Sequence, residues 1–297
     1  MPLLSKGFLI NDTYLVKNRV GKGAFGEVYR VEHKHMGNQV IKVFTQTNPE
    51  DKLTDTILNE GKILARFSHP NVVRVFEANS FKFKNNELFF ITMEFISGEP
   101  LSALLQRKSP LALTEALNIQ CEFMAGLAAA HSMTPPIIHR DVNGDNILLS
   151  YSEDEPRALL ADFGLASVTD QLSWSDDSAG RYSNMAPECF FGSYLPSSDV
   201  FSAGIILYRM ITGVFPWPVD LTKIEDYQEI RSAILSSRKK EVVKPSEYNP
   251  SISDQLDQIT MRSLDKDLSY RFRNANDFLK ALNEAHSNLS NKKNYGN

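Results

Sequence analysis

Apolar residues gather in short β-branched and aromatic runs along the early part of the chain and recur at helical spacing along the rest. Tyr14–Gly21, Glu27–His33, Asn38–Phe44, Val72–Phe76 and Leu88–Phe95 are short runs rich in β-branched and aromatic residues. Several are bounded by turn residues, as at Met36-Gly37-Asn38, and all five predict strands. One helix interrupts them: residues 51–67 set Leu53, Ile57, Glu60, Ile63, Leu64 and Phe67 three and four apart. After Gly98 the period turns helical. Thr114–Met133 carries Leu117, Cys121, Met124, Leu127 and Ala128 on one stripe, and Asp199–Thr212, apolar nearly all round, predicts a central buried helix. Ile224–Ser237, Ser253–Leu264 and Asn274–His286 follow, and the polar stretch Ser287–Asn297 predicts a frayed tail. A strand-rich part followed by a helix-rich part predicts an α+β chain folded around a cleft.

Four places break these patterns with residues suited to chemistry. Gly21-Lys22-Gly23-Ala24-Phe25-Gly26 lets the backbone turn sharply and approach a phosphate. A dinucleotide site needs a helix after the third glycine. Here Glu27-Val28-Tyr29-Arg30-Val31 predicts a strand, so a β-hairpin clamp fits better, with an ordinary glycine-rich hairpin as the plainer reading. Lys42, inside the apolar strand Gln39-Val40-Ile41-Lys42-Val43, is costly to bury without a partner, unless it snorkels from an edge. Glu60, on the apolar face of the one early helix, is the suitable partner. His139-Arg140-Asp141-Val142-Asn143-Gly144-Asp145-Asn146 and Asp162-Phe163-Gly164 follow the apolar stretches Ile137-Ile138 and Ala158–Ala161. A carboxylate beside such a stretch can hold Mg²⁺ or accept a hydroxyl proton, and each aspartate taken singly also reads as a turn or cap residue.

Together and in this order, from Tyr14 to His286, these segments resemble the eukaryotic-type serine/threonine protein kinases. The resemblance implies a bilobal fold: an N-terminal extension over 1–13, a kinase domain over 14–286 whose strand-rich N-lobe reaches to about residue 96 and whose helical C-lobe follows, and a tail over 287–297. It implies that Gly21, Gly23, Phe25 and Gly26 cover the phosphates of ATP, and that Lys42 touches the α- and β-phosphates and pairs with Glu60. It implies that Asp141 orients the accepting hydroxyl and that Asn146 and Asp162 hold Mg²⁺ (or Mn²⁺). Glu94 and Ile96, just after Met93, would offer backbone groups to adenine, with Val28, Val40 and Leu148 against its ring. Met185-Ala186-Pro187-Glu188 resembles the end of an activation segment, Asp199 the helix start that anchors the catalytic loop, and Arg271 the partner of Glu188. The implied activity is γ-phosphate transfer from ATP to Ser/Thr hydroxyls of proteins, with autophosphorylation. Its rivals are a weakly active or pseudokinase nucleotide-binding module and a small-molecule kinase.

Three residues depart from the family pattern. Asn143 stands where the family carries a lysine, Arg181 where it carries a threonine, and Asn184 where it carries a tyrosine. A polar but uncharged contact at 143 implies that lysine is tolerated there, and Arg181 reads either as the source of the missing charge or, more plainly, as a solvent-facing arginine in a loop. Arg140 implies a site for an activation-segment phosphate, and Asp177, beside Asp176, holds the usual phosphosite position.

Composition narrows the setting. A net charge of −4 over 297 residues gives no basic field for nucleic acid or an anionic membrane. Two cysteines, Cys121 and Cys189, read as reduced core thiols. No apolar run approaches the roughly 18 residues of a membrane span, and Met1–Asp12 has no signal-peptide core. The expectation is a cytoplasmic-type soluble protein, although an effector secreted by another route would read the same.

Overall fold

The structure is a computed structural model that describes residues 2–23, 26–45, 52–151, 156–163, 179–222, 224 and 226–294. The side chains of 52–57, Glu60, 179–181 and 289–294 lie outside that description. The described residues divide into two compact units, one within 1–97, the other within 98–163 and 179–294.

The first unit is built on an antiparallel sheet of β1 (Leu9–Ile10), β2 (Tyr14–Gly23), β3 (Gly26–His33), β4 (Gly37–Phe44), β5 (Val75–Phe83) and β6 (Asn86–Glu94), in the order β1-β2-β3-β4-β6-β5. Period-two alternation assigns each strand residue a face. Tyr29, Val31, Ile41, Val43, Phe81, Leu88 and Phe90 point to one face and form a core with Tyr14 and Val16. Leu4 and Ile10, ahead of β2, are buried in the same core, with Leu3 and Phe8 packed against it. Residues 3–10 are thus a strap over that face. Its backbone is tied down by Gly7 N–H donating to the Val16 carbonyl and Val16 N–H donating to the Phe8 carbonyl, both at 2.9 Å. Phe44, Phe89 and Ile91 line the opposite face, where Leu58 of α1 (Lys52–Arg66) packs. Gly61 lets α1 come this close, since a Cβ there would lie 2.5 Å from the Cβ of Ala78.

The second unit has a small antiparallel sheet, β7 (Gly98–Pro100), β8 (Ile147–Ser150) and β9 (Arg157–Leu160). Around it lie α2 (Leu101–Arg107), α3 (Leu113–His131), α4 (Ala179–Asn184), a 3₁₀ turn (Pro187–Phe191), α5 (Pro196–Thr212), α6 (Tyr227–Ser237), α7 (Pro245–Tyr248), α8 (Asp254–Ser263) and α9 (Ala275–Asn294). As its composition predicts, α5 is buried along almost its whole length. It packs on α3 and α8, and α3 in turn packs on β9 and α9.

Two expectations change. Val72–Phe76 predicts a short strand, but β5 runs from Val75 to Phe83, because cross-strand pairing with β6 holds the polar Glu77-Ala78-Asn79-Ser80 in the ladder. The tail expected to fray from Ser287 continues α9 through Asn294, with the Ser287 hydroxyl donating to the Asn283 carbonyl and Asn288 Nδ2 to Gln255 Oε1. Cys121 and Cys189 are free, and burial pushes their thiols up to about 11 and about 12, so both stay protonated near neutral pH. Among the described residues no helix is long and apolar enough to cross a membrane.

Candidate active site

In the first unit the candidate residues fall on the sheet face opposite the aromatic core. Register pairs Val28 with Lys42, Lys42 with Ile91 and Val40 with Met93, so Val28, Val40, Lys42 and Met93 share one face, each half-buried. Gly21 pairs with Val28 and Gly23 with Gly26 at the end of the β2–β3 hairpin, while Phe25 lies outside the described residues. Gly26 is packed so closely that a Cβ would stand 1.8 Å from the Val43 carbonyl oxygen. Glu60 is in α1, but its side chain, and so its pairing with Lys42, lies outside the described residues. Glu94 ends β6, its N–H donating to the Arg74 carbonyl at 2.9 Å, and Ile96 follows half-buried.

The hairpin is fastened from its other face. Glu27, next to Gly26, is only 6 % exposed. It accepts from Leu3 N–H at 2.9 Å, from the Tyr29 hydroxyl, and from Arg19 Nη1 at 3.2 Å. Burial alone would raise its pKa, but these bonds outweigh burial and hold it below the usual glutamate range.

In the second unit Asp141 and Asn146 lie on a loop between α3 and β8 with no regular structure of its own. The preceding Ile137-Ile138 forms no strand. Buried side chains hold the loop instead. The Asp199 carboxylate accepts from His131 Nε2 at 3.0 Å, from His139 N–H at 2.7 Å and from Arg140 N–H at 2.8 Å. His131 Nδ1 accepts from Ala275 N–H at 3.1 Å, which puts that ring's proton on Nε2, facing Asp199. His139 Nδ1 accepts from Asp141 N–H at 3.2 Å, and its Nε2 donates to the Ala161 carbonyl at 2.8 Å. Arg140 and Asp162 have φ of 68° and 59°, the left-handed region that non-glycine residues occupy only when their surroundings impose it.

Each Asp141 carboxylate oxygen accepts one side-chain amide. Asn143 Nδ2 donates to Oδ1 at 2.9 Å and Asn146 Nδ2 donates to Oδ2 at 3.1 Å. The Asn146 carbonyl accepts from Ala161 N–H at 2.8 Å, and Ile147 pairs with Leu160, so Asn146 and Asp162 are brought close within this unit. Leu148 is half-buried in β8, paired with Leu159 and Pro100. Phe163 is buried, its ring 4.6 Å from that of His139, while Gly164 lies outside the described residues. Among the described residues no three His, Cys, Asp or Glu side chains converge on a metal position.

Of the further expectations, Arg271 meets Glu188, Nη1 donating to Oε1 at 2.6 Å and Nη2 to Oε2 at 3.3 Å. Arg140 lies 5.2 Å over the Tyr194 ring, and Asp176 and Asp177 lie outside the described residues, as does the Arg181 side chain. Asn184 is buried and its carbonyl accepts from the Ser202 hydroxyl at 2.8 Å. Sequence reasoning missed Arg238. It reads as the first of a polar run, Arg238-Lys239-Lys240, yet it is 4 % exposed, 4.4 Å over the Trp217 ring, and donates from Nη2 to the Ser183 carbonyl at 2.6 Å. Burial lowers its pKa to about 9, which leaves it charged at neutral pH. It also missed Glu27, which period-two alternation places on the same face as Tyr29 and Val31, and the inward turn of Asn143, which no periodic pattern marks.

A family model described as protein kinase domain matches residues 14–282. The chain is 26% identical over 286 residues to a probable serine/threonine-protein kinase, PknB, of Lactococcus lactis, covering 93% of this chain and 42% of that one. It is 29% identical to the serine/threonine-protein kinase pkn3 of Myxococcus xanthus, covering 89% and 48%. The chain thus spans less than half the length of these relatives. Among solved structures, the PknI kinase domain of Mycobacterium tuberculosis superimposes with a TM-score of 0.69 at 25% identity, covering 95% of this chain and 99% of that one.

Proposed function

Because the chain belongs to the protein kinase domain family, we propose that it transfers the γ-phosphate of ATP to serine and threonine hydroxyls of proteins. The observation that carries this reading is the oriented Asp141 carboxylate, held by two amides on a loop that Asp199 anchors. In this reading Asp141 receives the proton of the accepting hydroxyl and Lys42 neutralises the α- and β-phosphates. Gly21, Gly23 and Gly26 bring backbone N–H groups to the phosphates, with Phe25 in the same loop. On the first unit, Met93, Glu94, Ile96, Val28 and Val40 receive the adenine. The serine/threonine-kinase names of the relatives favour hydroxyl specificity of that kind.

The donor set suits a hard divalent cation. Asn146 commits its Nδ2 to Asp141, which turns its Oδ1 into an oxygen donor, and Asp162 adds a carboxylate. With only these two protein groups, Mg²⁺ would take its remaining ligands from phosphate and water, as that ion prefers. The bound ion would neutralise charge on the transferring phosphate. A reaction that consumes ATP favours a cytoplasmic setting.

The test is transfer from γ-labelled ATP to a peptide array containing Ser, Thr and Tyr acceptors, wild type against Asp141→Ala. Label on Ser/Thr peptides, lost in the variant, is expected. Nucleotide binding without transfer would make the chain a binding module, and label confined to small molecules would make it a small-molecule kinase.

A further inference from the structure

We propose that Asn143 is the residue that positions Asp141, fixing its carboxylate from the place where the family carries a lysine. This rests on the assignment of Asp141 as the proton acceptor.

The orientation of the Asn143 amide follows from its neighbours. One end accepts from Asp145 N–H at 2.8 Å and from Asn146 N–H at 3.2 Å, and only the oxygen can accept. The nitrogen must then face Asp141, where it donates to the Oδ1 at 2.9 Å and to the main-chain carbonyl at 3.2 Å. One short planar group therefore closes the turn after Asp141 and aims the carboxylate at its start. It is 8 % exposed, so few waters can substitute for it. Asn146 grips the other carboxylate oxygen, but in the functional reading Asn146 is shared with the metal, whereas the polar contacts of the Asn143 side chain serve the loop.

A lysine does not reproduce these contacts. An ammonium group donates but has no acceptor, so Asp145 N–H would lose its partner, while Asn146 N–H would keep only the main-chain carbonyl of residue 143 at 3.2 Å. Under this proposal the expectation is therefore the opposite of the tolerance of lysine expected from the sequence. The neutral amide orients the carboxylate without adding charge, and the enzyme forgoes a cation on this loop in exchange for a fixed base.

Aspartate separates the two tasks. Asn143→Asp keeps an oxygen for both backbone N–H groups but removes the donor to Asp141. The expected result is a fall in kcat of about 10²-fold, with KM for ATP and for peptide within about threefold and the unfolding midpoint retained. In an Asp141→Ala background the further loss from Asn143→Asp should shrink to under about twofold, because there is no carboxylate left to position. Asn143→Lys should fall at least as far in kcat and also unfold earlier. Wild-type kcat in Asn143→Asp, a kcat raised by Asn143→Lys, or equal losses in both backgrounds would each overturn the proposal. Equal losses would mean that residue 143 acts on the phosphate directly. A readout independent of turnover is the Asn143 side-chain NH₂ resonance, which should move in Asp141→Ala, and an unmoved resonance would refute the bond. A wild type that transfers no phosphate would instead be a failure of the functional reading, and the resonance test would still decide the contact.

Discussion

The sheet face that carries Lys42 and the loop that carries Asp141 place polar groups by opposite means. Lys42 is set by strand period and register: once Val28 and Ile91 pair with it, its face is decided, and the apolar alternation that decides it serves the core behind. Asp141 has no such lattice. Its loop depends on Asp199 and His131, distant in sequence, and on the Asn143 amide inside the loop. A strand-borne group should thus be removable with little damage to the fold. A loop held by buried polar contacts should lose its shape when the Asp199 carboxylate, which holds two of its backbone N–H groups, is removed.

Substitutions break or sharpen that contrast, ranked here by their effect on unfolding. Asp199→Ala should be the most damaging. It deprives His131 and two backbone N–H groups of their acceptor in a buried place, for a loss of about 3–5 kcal/mol, seen as insoluble protein or a sharply lowered denaturant midpoint. Gly61→Val comes next, at about 1–3 kcal/mol, because its side chain would drive α1 off Ala78, and thermal unfolding would register it. Glu27→Gln should cost about 1–2 kcal/mol by weakening the bonds to Leu3, Tyr29 and Arg19.

That last variant carries a pH signature. The folded-state pKa of Glu27 is depressed, so its contribution is complete above the ordinary glutamate range and is lost as pH falls through the lower folded value. Denaturation curves from neutral to acid pH should show wild type and Glu27→Gln converging at the acid end, and a constant gap would refute the account. Lys42→Ala should do least to stability, within about 0.5 kcal/mol, while lowering kcat/KM by two orders or more. A large stability loss there would erase the contrast.

The same difference explains what the sequence disclosed. Strands β2, β3, β4 and β6 and the buried helix α5 are legible because each repeats one instruction many times. The face shared by Val28, Val40, Lys42 and Met93 follows once the strands are read. The pairing of Arg271 with Glu188 was legible only through resemblance, since 83 residues separate them. The inward turn of Asn143 and the burial of Glu27 and Arg238 were opaque for a common reason. Each is a polar residue whose meaning comes from what surrounds it, and a polar residue in a loop, at a strand start or at a helix end looks alike whether it faces solvent or is buried.

The strap of residues 3–10 has a consequence for the order of events during synthesis. Its core partners include Phe81, Leu88 and Phe90, which leave the ribosome long after it does. Leu4, Phe8 and Ile10 can therefore complete their burial only once β5 and β6 exist, as the sheet closes. Because Leu3 then grips Glu27 beside the glycine hairpin, its arrival marks the moment when the hairpin gains its backing. A nascent chain of this protein thus carries its own late check, in which a segment made ahead of the sheet is among the last to be fully placed.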